Sequence, residues 1–176
     1  MNSFDFIVSL NEKKQYTYGR EIAKHIETLD DLKMYALGEF DEDTSSIIDK
    51  ARISVSVEAN GELCTYLAER FNEGTATDII KILAELEYTI EDYDEEQVIA
   101  YLECFGLGDF ELQDVSDKMF GEGQYTSDAD AAEYYLNNYR DDIPDDIKNV
   151  IDYNTAYTYF GLRYELVSHN GYYFNY

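Results

Sequence analysis

The chain has 176 residues, 38 acidic against 13 basic, for a formal net charge of -25. Hydrophobic residues make up 45% and aromatics 15%, which excludes the composition of an intrinsically disordered chain and provides enough apolar surface for one ordinary domain or a few small ones. The charge disfavours direct binding to nucleic acid or to an anionic membrane, and it exceeds the magnitude of roughly 2 to 8 that solubility asks of a small domain.

In FDFIVSL, from Phe4, the residues Phe4, Phe6 and Val8 alternate with their neighbours and predict a strand. Thr28 and Asp31 form a T-x-x-D cap ahead of Leu32, Tyr35 and Ala36, with Gly38 as the expected stop of a short helix. A second strand follows where Ile53, Val55 and Val57 recur at period two. From Asn60 the period becomes helical. Leu63, Tyr66, Leu67 and Phe71 make one stripe, and Thr75 with Asp78 caps the next, formed by Ile79, Ile82, Leu83 and Leu86. A third helix opens at Asp94, with Gln97 able to complete a box, buries Val98, Leu102 and Phe105, and closes at Gly106.

After GLGD a weak strand pattern returns in FELQDVS. Ser127 with Asp130 caps a helix carrying Ala131, Tyr135 and Leu136. In YRDDIPDDIKNVIDYN, residues Ile143, Ile147, Val150 and Ile151 fall on one helical face, Pro144 suits the first turn, and Asp145 and Asp146 sit near the positive end of the helix dipole. Asn170-Gly171 between two aromatic runs predicts a terminal hairpin. The fold class read from this order is α+β, with an N-terminal subdomain at 1–59, a central helical subdomain at 60–108 and a C-terminal subdomain at 109–176.

The acid is unevenly placed. Residues 1–60 carry 12 acidic and 7 basic side chains, residues 61–176 carry 26 and 6, and residues 91–152 carry 19 and 3. A basic partner surface is the natural complement. Familiar reactive constellations are missing from the sequence. His25 and His169 are the only histidines, no His-Glu-x-x-His or Cys-x-x-Cys occurs, and GLGDFE has Glu111 where a dinucleotide fingerprint needs glycine. DEDTSS, from Asp41, resembles the start of a calcium loop but has Ser46 in place of the glycine and Arg52 in place of the bidentate glutamate. The expectation is a protein that is not an enzyme and uses no cofactor or metal. Cys64 and Cys104 lie in helical patterns and read as buried free thiols. With no signal peptide or apolar span in view, the chain reads as cytoplasmic. The tyrosines crowding the last 43 residues lack the interleaved Lys and Arg of a base-stacking platform and read as core or self-association surface.

Duplex DNA carries one charge per about 1.7 Å of axis, so a charge of -25 corresponds to about 42 Å of duplex. A compact chain of this length is roughly 40 Å across. Carboxylates held on helices at that density match phosphates in linear charge, and holding them rigid avoids an ordering cost on binding. The carboxylates expected to serve as phosphate surrogates are Asp92, Asp94, Glu95, Glu96, Asp128, Asp130, Glu133, Asp141, Asp142, Asp145, Asp146 and Asp152.

DADAAEYYLNNY, IPDDIKNVIDYNTAY and the closing SHNGYYFNY, together spanning much of 128–176, resemble the C-terminal part of the ArdA-type antirestriction proteins. The resemblance implies an elongated DNA mimic built of small successive subdomains, a homodimer, occupying the DNA-binding cleft of type I restriction-modification enzymes in a bacterial host. It also implies a phage, plasmid or conjugative transposon as source. The sequence departs from that family at Thr158, Tyr159 and Phe160, uncharged where the family is more acidic, and before Asn60. Two alternatives stay open: a DNA mimic acting on another nucleic-acid-handling defence system, such as a CRISPR effector or an exclusion system, and an acidic scaffold that binds a basic protein surface unrelated to DNA.

Overall fold

The structure is a computed structural model that describes residues 3–10, 14–39, 53–86, 94–108, 110–121 and 123–176. It is an α+β fold whose sheets are antiparallel. The chain divides into two compact units, one of Met1–Ile99 with Leu107–Leu112 and one of Ala100–Gly106 with Gln113–Tyr176. The N-terminal strands and most of the central helices, expected as separate subdomains, thus share a unit.

In the first unit, β1 (Ser3–Leu10) lies between β2 (Lys14–Gly19) and β3 (Ile53–Asn60). Phe4, Phe6 and Val8 are fully buried on one face of β1, and Phe4 and Phe6 meet Phe71 edge-on. Strand β3 buries Ile53, half-buries Val55 and Val57, and exposes the intervening residues, as its period-two pattern requires. Strand β2 carries no apolar alternation to announce it. Its half-buried Tyr16 and Tyr18 supply the ring area instead, and Tyr18 meets Tyr35 edge-on at 5.6 Å.

A 3-10 stretch, Arg20–Lys24, leads to α1 (Leu29–Glu39), opened by the expected box: Asp31 accepts from the Thr28 amide at 2.8 Å, and its own amide donates to the Thr28 hydroxyl at 3.2 Å. Gly38 lies inside this helix rather than ending it. Helix α2 (Glu62–Glu69) buries Leu63, Cys64 and Leu67, while α3 (Ala76–Leu86) buries Ile79, Ile82, Leu83 and Leu86 as its stripe predicts. The expected Thr75–Asp78 cap is replaced. The Thr75 hydroxyl turns back into the preceding loop, donating to the Arg70 carbonyl at 2.6 Å and accepting from the Asn72 amide at 3.0 Å. Helix α4 (Glu95–Phe105) ends at Gly106, whose φ of +87 suits glycine.

The strand expected in FELQDVS is instead α5 (Leu112–Asp117). Leu112 and Val115 are buried at helical spacing, and the Glu85 carboxylate accepts the Leu112 amide at 2.8 Å, a cap that no local pattern could reveal.

In the second unit, α6 (Asp128–Tyr139) packs on α8 (Tyr153–Tyr159). Ala131, Ala132 and Leu136 from α6, and Ala156 and Tyr157 from α8, join Phe120, Leu162, Leu166 and Tyr173 in one core. Between them the long helix expected from Pro144 is a single turn, α7 (Asp145–Lys148). Ile147 is 48% exposed and Val150 77%, whereas Lys148 is only 8% exposed. The predicted apolar face is split, with only Ile143 and Ile151 packing on the core. The helix breaks because Asp152 starts α8 as its N-cap, and Lys148 buries its aliphatic stem in the turn. Helix α9 (Leu162–Glu165) runs into the terminal hairpin, β4 (Leu166–His169) and β5 (Tyr172–Asn175), which turns through Asn170 at φ 49 and Gly171 at φ 82. Two left-handed residues in succession make the turn that the Asn-Gly pair predicts.

Candidate functional site: an acidic display fixed by helix caps

The expected surrogates divide between the units. Asp94, Glu95 and Glu96 belong to the first, the eight from Asp128 to Asp152 belong to the second, and Asp92 lies outside the described residues.

In the first unit two of the three have structural work. Asp94 precedes α4 and accepts the Glu96 amide at 3.0 Å, as an N-cap does. Glu95 accepts the Leu63 amide at 2.9 Å. Helix α2 starts after Gly61, which has no side chain to cap it, so Glu95 satisfies an otherwise orphaned donor there. Glu96 is exposed.

In the second unit the acids begin at the α6 N-terminus. The Ser127 hydroxyl accepts the Asp130 amide at 3.2 Å, while the Asp130 carboxylate accepts from the Thr126 amide at 3.2 Å and from the Thr126 hydroxyl. The box closes on Thr126 instead of on Ser127 itself. The Thr126 hydroxyl above all, with the Ser127 contact, holds the Asp130 carboxyl below the usual carboxylate range. Asp128 is exposed but tethered from beneath: the buried Tyr173 hydroxyl donates to it at 2.6 Å. Burial, then this bond to Asp128, pushes the Tyr173 phenol well above its ordinary value. Glu133 stands exposed on the same helix.

Asp141, Asp142, Asp145 and Asp146 flank and form the one-turn α7, all four exposed. Asp142 is matched: Arg140 donates to it twice, through Nε and a terminal nitrogen, each at 2.7 Å. That fork lowers the Asp142 carboxyl and raises the Arg140 guanidinium. Asp142 is therefore the surrogate whose charge is cancelled in place. Asp145 lies 4.0 Å from Lys148 Nζ with its side chain 98% exposed, a contact of little energetic weight. With only four residues in α7, the helix dipole invoked for Asp145 and Asp146 is small. Asp152 caps α8, accepting the Asn154 amide at 3.2 Å and the Thr155 hydroxyl at 2.7 Å. The Thr155 hydroxyl is the main reason its carboxyl is held low.

The four basic side chains of this unit are all engaged within it. Lys118 pairs with Asp114 at 2.9 Å and lies 4.9 Å from the Phe105 ring centre; Arg140 forks onto Asp142; Lys148 is buried beside Asp145; Arg163 stacks on Tyr164 at 4.4 Å. The remaining carboxylates set the field outside. Chemically, the surface is a set of carboxylate acceptors, several locked by caps, suited to receiving Lys and Arg donors. Among the described residues no group of three or more His, Cys, Asp or Glu side chains is placed to hold a metal ion, and no helix is long and apolar enough to cross a membrane. Cys64 is buried and Cys104 half-buried, both as free thiols. Burial pushes both upward in pKa, which makes them poor nucleophiles. The calcium-loop-like DEDTSS lies outside the described residues.

One feature of this face carries little sequence signal. A shallow groove is lined by Ile151, Asp152, Thr155, Ala156, Tyr159 and Phe160, and Tyr159 beside it is 81% exposed. Its trace in the sequence is the uncharged run Thr158-Tyr159-Phe160 within an acidic region. Compared with family models, curated proteins and solved structures, the chain matches none of them.

Proposed function

We propose that this chain is a non-enzymatic DNA mimic, an ArdA-like antirestriction protein that occupies the basic DNA-binding cleft of a type I restriction-modification complex in the cytoplasm of a bacterial host, acting as a homodimer. The observation that carries the reading is the set of exposed carboxylates of the C-terminal unit, several fixed by caps and tethers, beside basic side chains that are each engaged locally. Fixed carboxylates form charge-assisted bonds to Lys and Arg without the ordering cost that an acidic tail incurs. With the load spread over Asp128, Asp130, Glu133, Asp141, Asp145, Asp146 and Asp152 in this unit, and Asp94 and Glu96 in the other, no single carboxylate is decisive. Neutralising them stepwise weakens binding by degrees.

A second reading, an acidic scaffold for a basic protein patch unrelated to DNA, is favoured by the exposed Val150, Tyr159 and Tyr164, which have no counterpart in a row of phosphates. A pull-down from a restriction-proficient bacterial lysate, with and without competing duplex DNA, tests both. The mimic captures a DNA-handling complex, releases it to duplex DNA and binds it less tightly as salt rises. A captured partner indifferent to duplex DNA sinks the mimic reading. Capture of a different DNA-handling defence complex keeps the mimicry and replaces the target.

A further inference from the structure

Resting on that reading and deepening it, we propose that the groove on α8 is a slot for one arginine side chain of the basic partner, stem on the apolar floor and guanidinium between the Tyr159 ring and the Asp152 carboxylate. The groove measures about 310 Å³ and is apolar apart from its Asp152 edge, with Ile151, Ala156 and Phe160 presenting carbon and Thr155 engaged with Asp152. Tyr159 stands edge-on to Phe160 at 5.3 Å and is 81% exposed, so its ring is open to a ligand. Asp152 is exposed, its carboxylate held by the Asn154 amide and the Thr155 hydroxyl while still facing solvent.

The chemistry of the lining selects the occupant. A purely aliphatic side chain would cover the floor but strip water from Asp152 without replacing its hydrogen bonds. A lysine would reach the carboxylate, but its compact, strongly hydrated ammonium gains less from lying flat on a ring. Arginine satisfies both demands, because its methylene stem is apolar and its planar head both stacks and donates. The chain itself makes this combination. Arg140 lies over the Phe160 ring at 4.7 Å while it forks onto Asp142. Beside that filled arrangement, the groove repeats its parts, ring and carboxylate, with a floor and, among the described residues, no arginine in its lining. The unit carries thirteen acidic and four basic residues, so the approaching surface is basic by charge complementarity. A phosphate has no apolar floor to offer an arginine stem; the slot therefore gives the mimic a contact that DNA lacks.

The test uses the full chain and N-acetyl-arginine methylamide as probe, with the lysine analogue as control, followed by NMR of the Ile151 and Ala156 methyls and the Tyr159 ring. The expected result is saturable shifts confined to the groove with the arginine probe and weaker binding of the lysine probe. Tyr159→Ala, at an exposed position, should weaken the arginine probe by about two- to fivefold, the range of an exposed cation–π contact. Asp152→Asn keeps a good N-cap residue and should also weaken it. Equal affinity for both probes, or no response to Tyr159→Ala, overturns the slot. So do groove resonances that move with protein concentration alone, because a second copy then occupies the groove. Duplex competition in the pull-down is read separately: its loss sinks the mimic, whereas a failed arginine titration with competition intact sinks only the slot.

Discussion

Replacing Gly171 by alanine tests how the acidic end of α6 is held in place. Gly171 has φ +82, and a Cβ added there would meet the Tyr125 carbonyl oxygen at 2.3 Å and the Gln124 side chain at 3.0 Å. The loop touches the turn at this point, where the Tyr125 amide donates to the Gly171 carbonyl at 2.8 Å and the Gln124 side chain donates to the Asn170 carbonyl at 2.6 Å. The left-handed backbone costs an L-residue about 1–2 kcal/mol. Forcing the loop off the turn loses at least one hydrogen bond worth about 1 kcal/mol. Gly171→Ala should therefore destabilise the C-terminal unit by roughly 2–3 kcal/mol.

Two other glycines separate the causes. Gly161 has φ +77 with nothing within 4 Å of an added Cβ, so alanine there meets the backbone cost alone. Gly123 has equally open space and no positive φ, so alanine there should be neutral or stabilising by up to about 1 kcal/mol. Urea unfolding followed by near-ultraviolet circular dichroism of the tyrosines should rank the midpoints Gly123→Ala, then Gly161→Ala, then Gly171→Ala. Equal losses at 161 and 171 would refute the close approach of the loop, and with it this account of how Thr126 and Ser127 are positioned to cap α6.

Two further outcomes follow from the charges. The carboxyls of Asp130, Asp142 and Asp152 are held below their ordinary value in the folded chain, so their stabilisation is complete above the unfolded pKa of about 3.9 and is lost as pH falls through the lower folded values. A variant with asparagine at all three should lose stability less steeply than the parent below about pH 4, measured by denaturant titration at successive pH values; superimposable acid limbs would exclude the assigned bonds. The melting temperature should rise between about 20 and 300 mM sodium chloride as self-repulsion is screened, with the Debye length near 10 Å at about 0.1 M. A flat response would show that the net charge does not strain the fold.

Elements with strong local signals were readable in the sequence. Phe4, Phe6 and Val8 alternate because one face of β1 is buried, and Asn170-Gly171 fixes a turn that only permissive residues allow. The misreadings arose where distant groups decide local structure. Glu85 caps α5 from another helix and turns an apparent strand into a helix, and Glu95 caps α2 across the chain. The face Ile143, Ile147, Val150, Ile151 has a helical period, but the helix stops at Lys148 and Asp152 caps the start of a new one. The acidic positions themselves were plain from composition. Which of them served as caps and which was already paired with arginine depended on three-dimensional partners.

Helices α6 and α8 pack together, and Ala131 and Ala132 on one and Ala156 on the other are buried in the core they share, small side chains that let two helices come close. Each helix carries an anchored carboxylate at its start, Asp130 on one and Asp152 at the head of the other. Valine in place of one of those alanines would act as a shim between the two helices, shifting the carboxylates they carry without removing any charge.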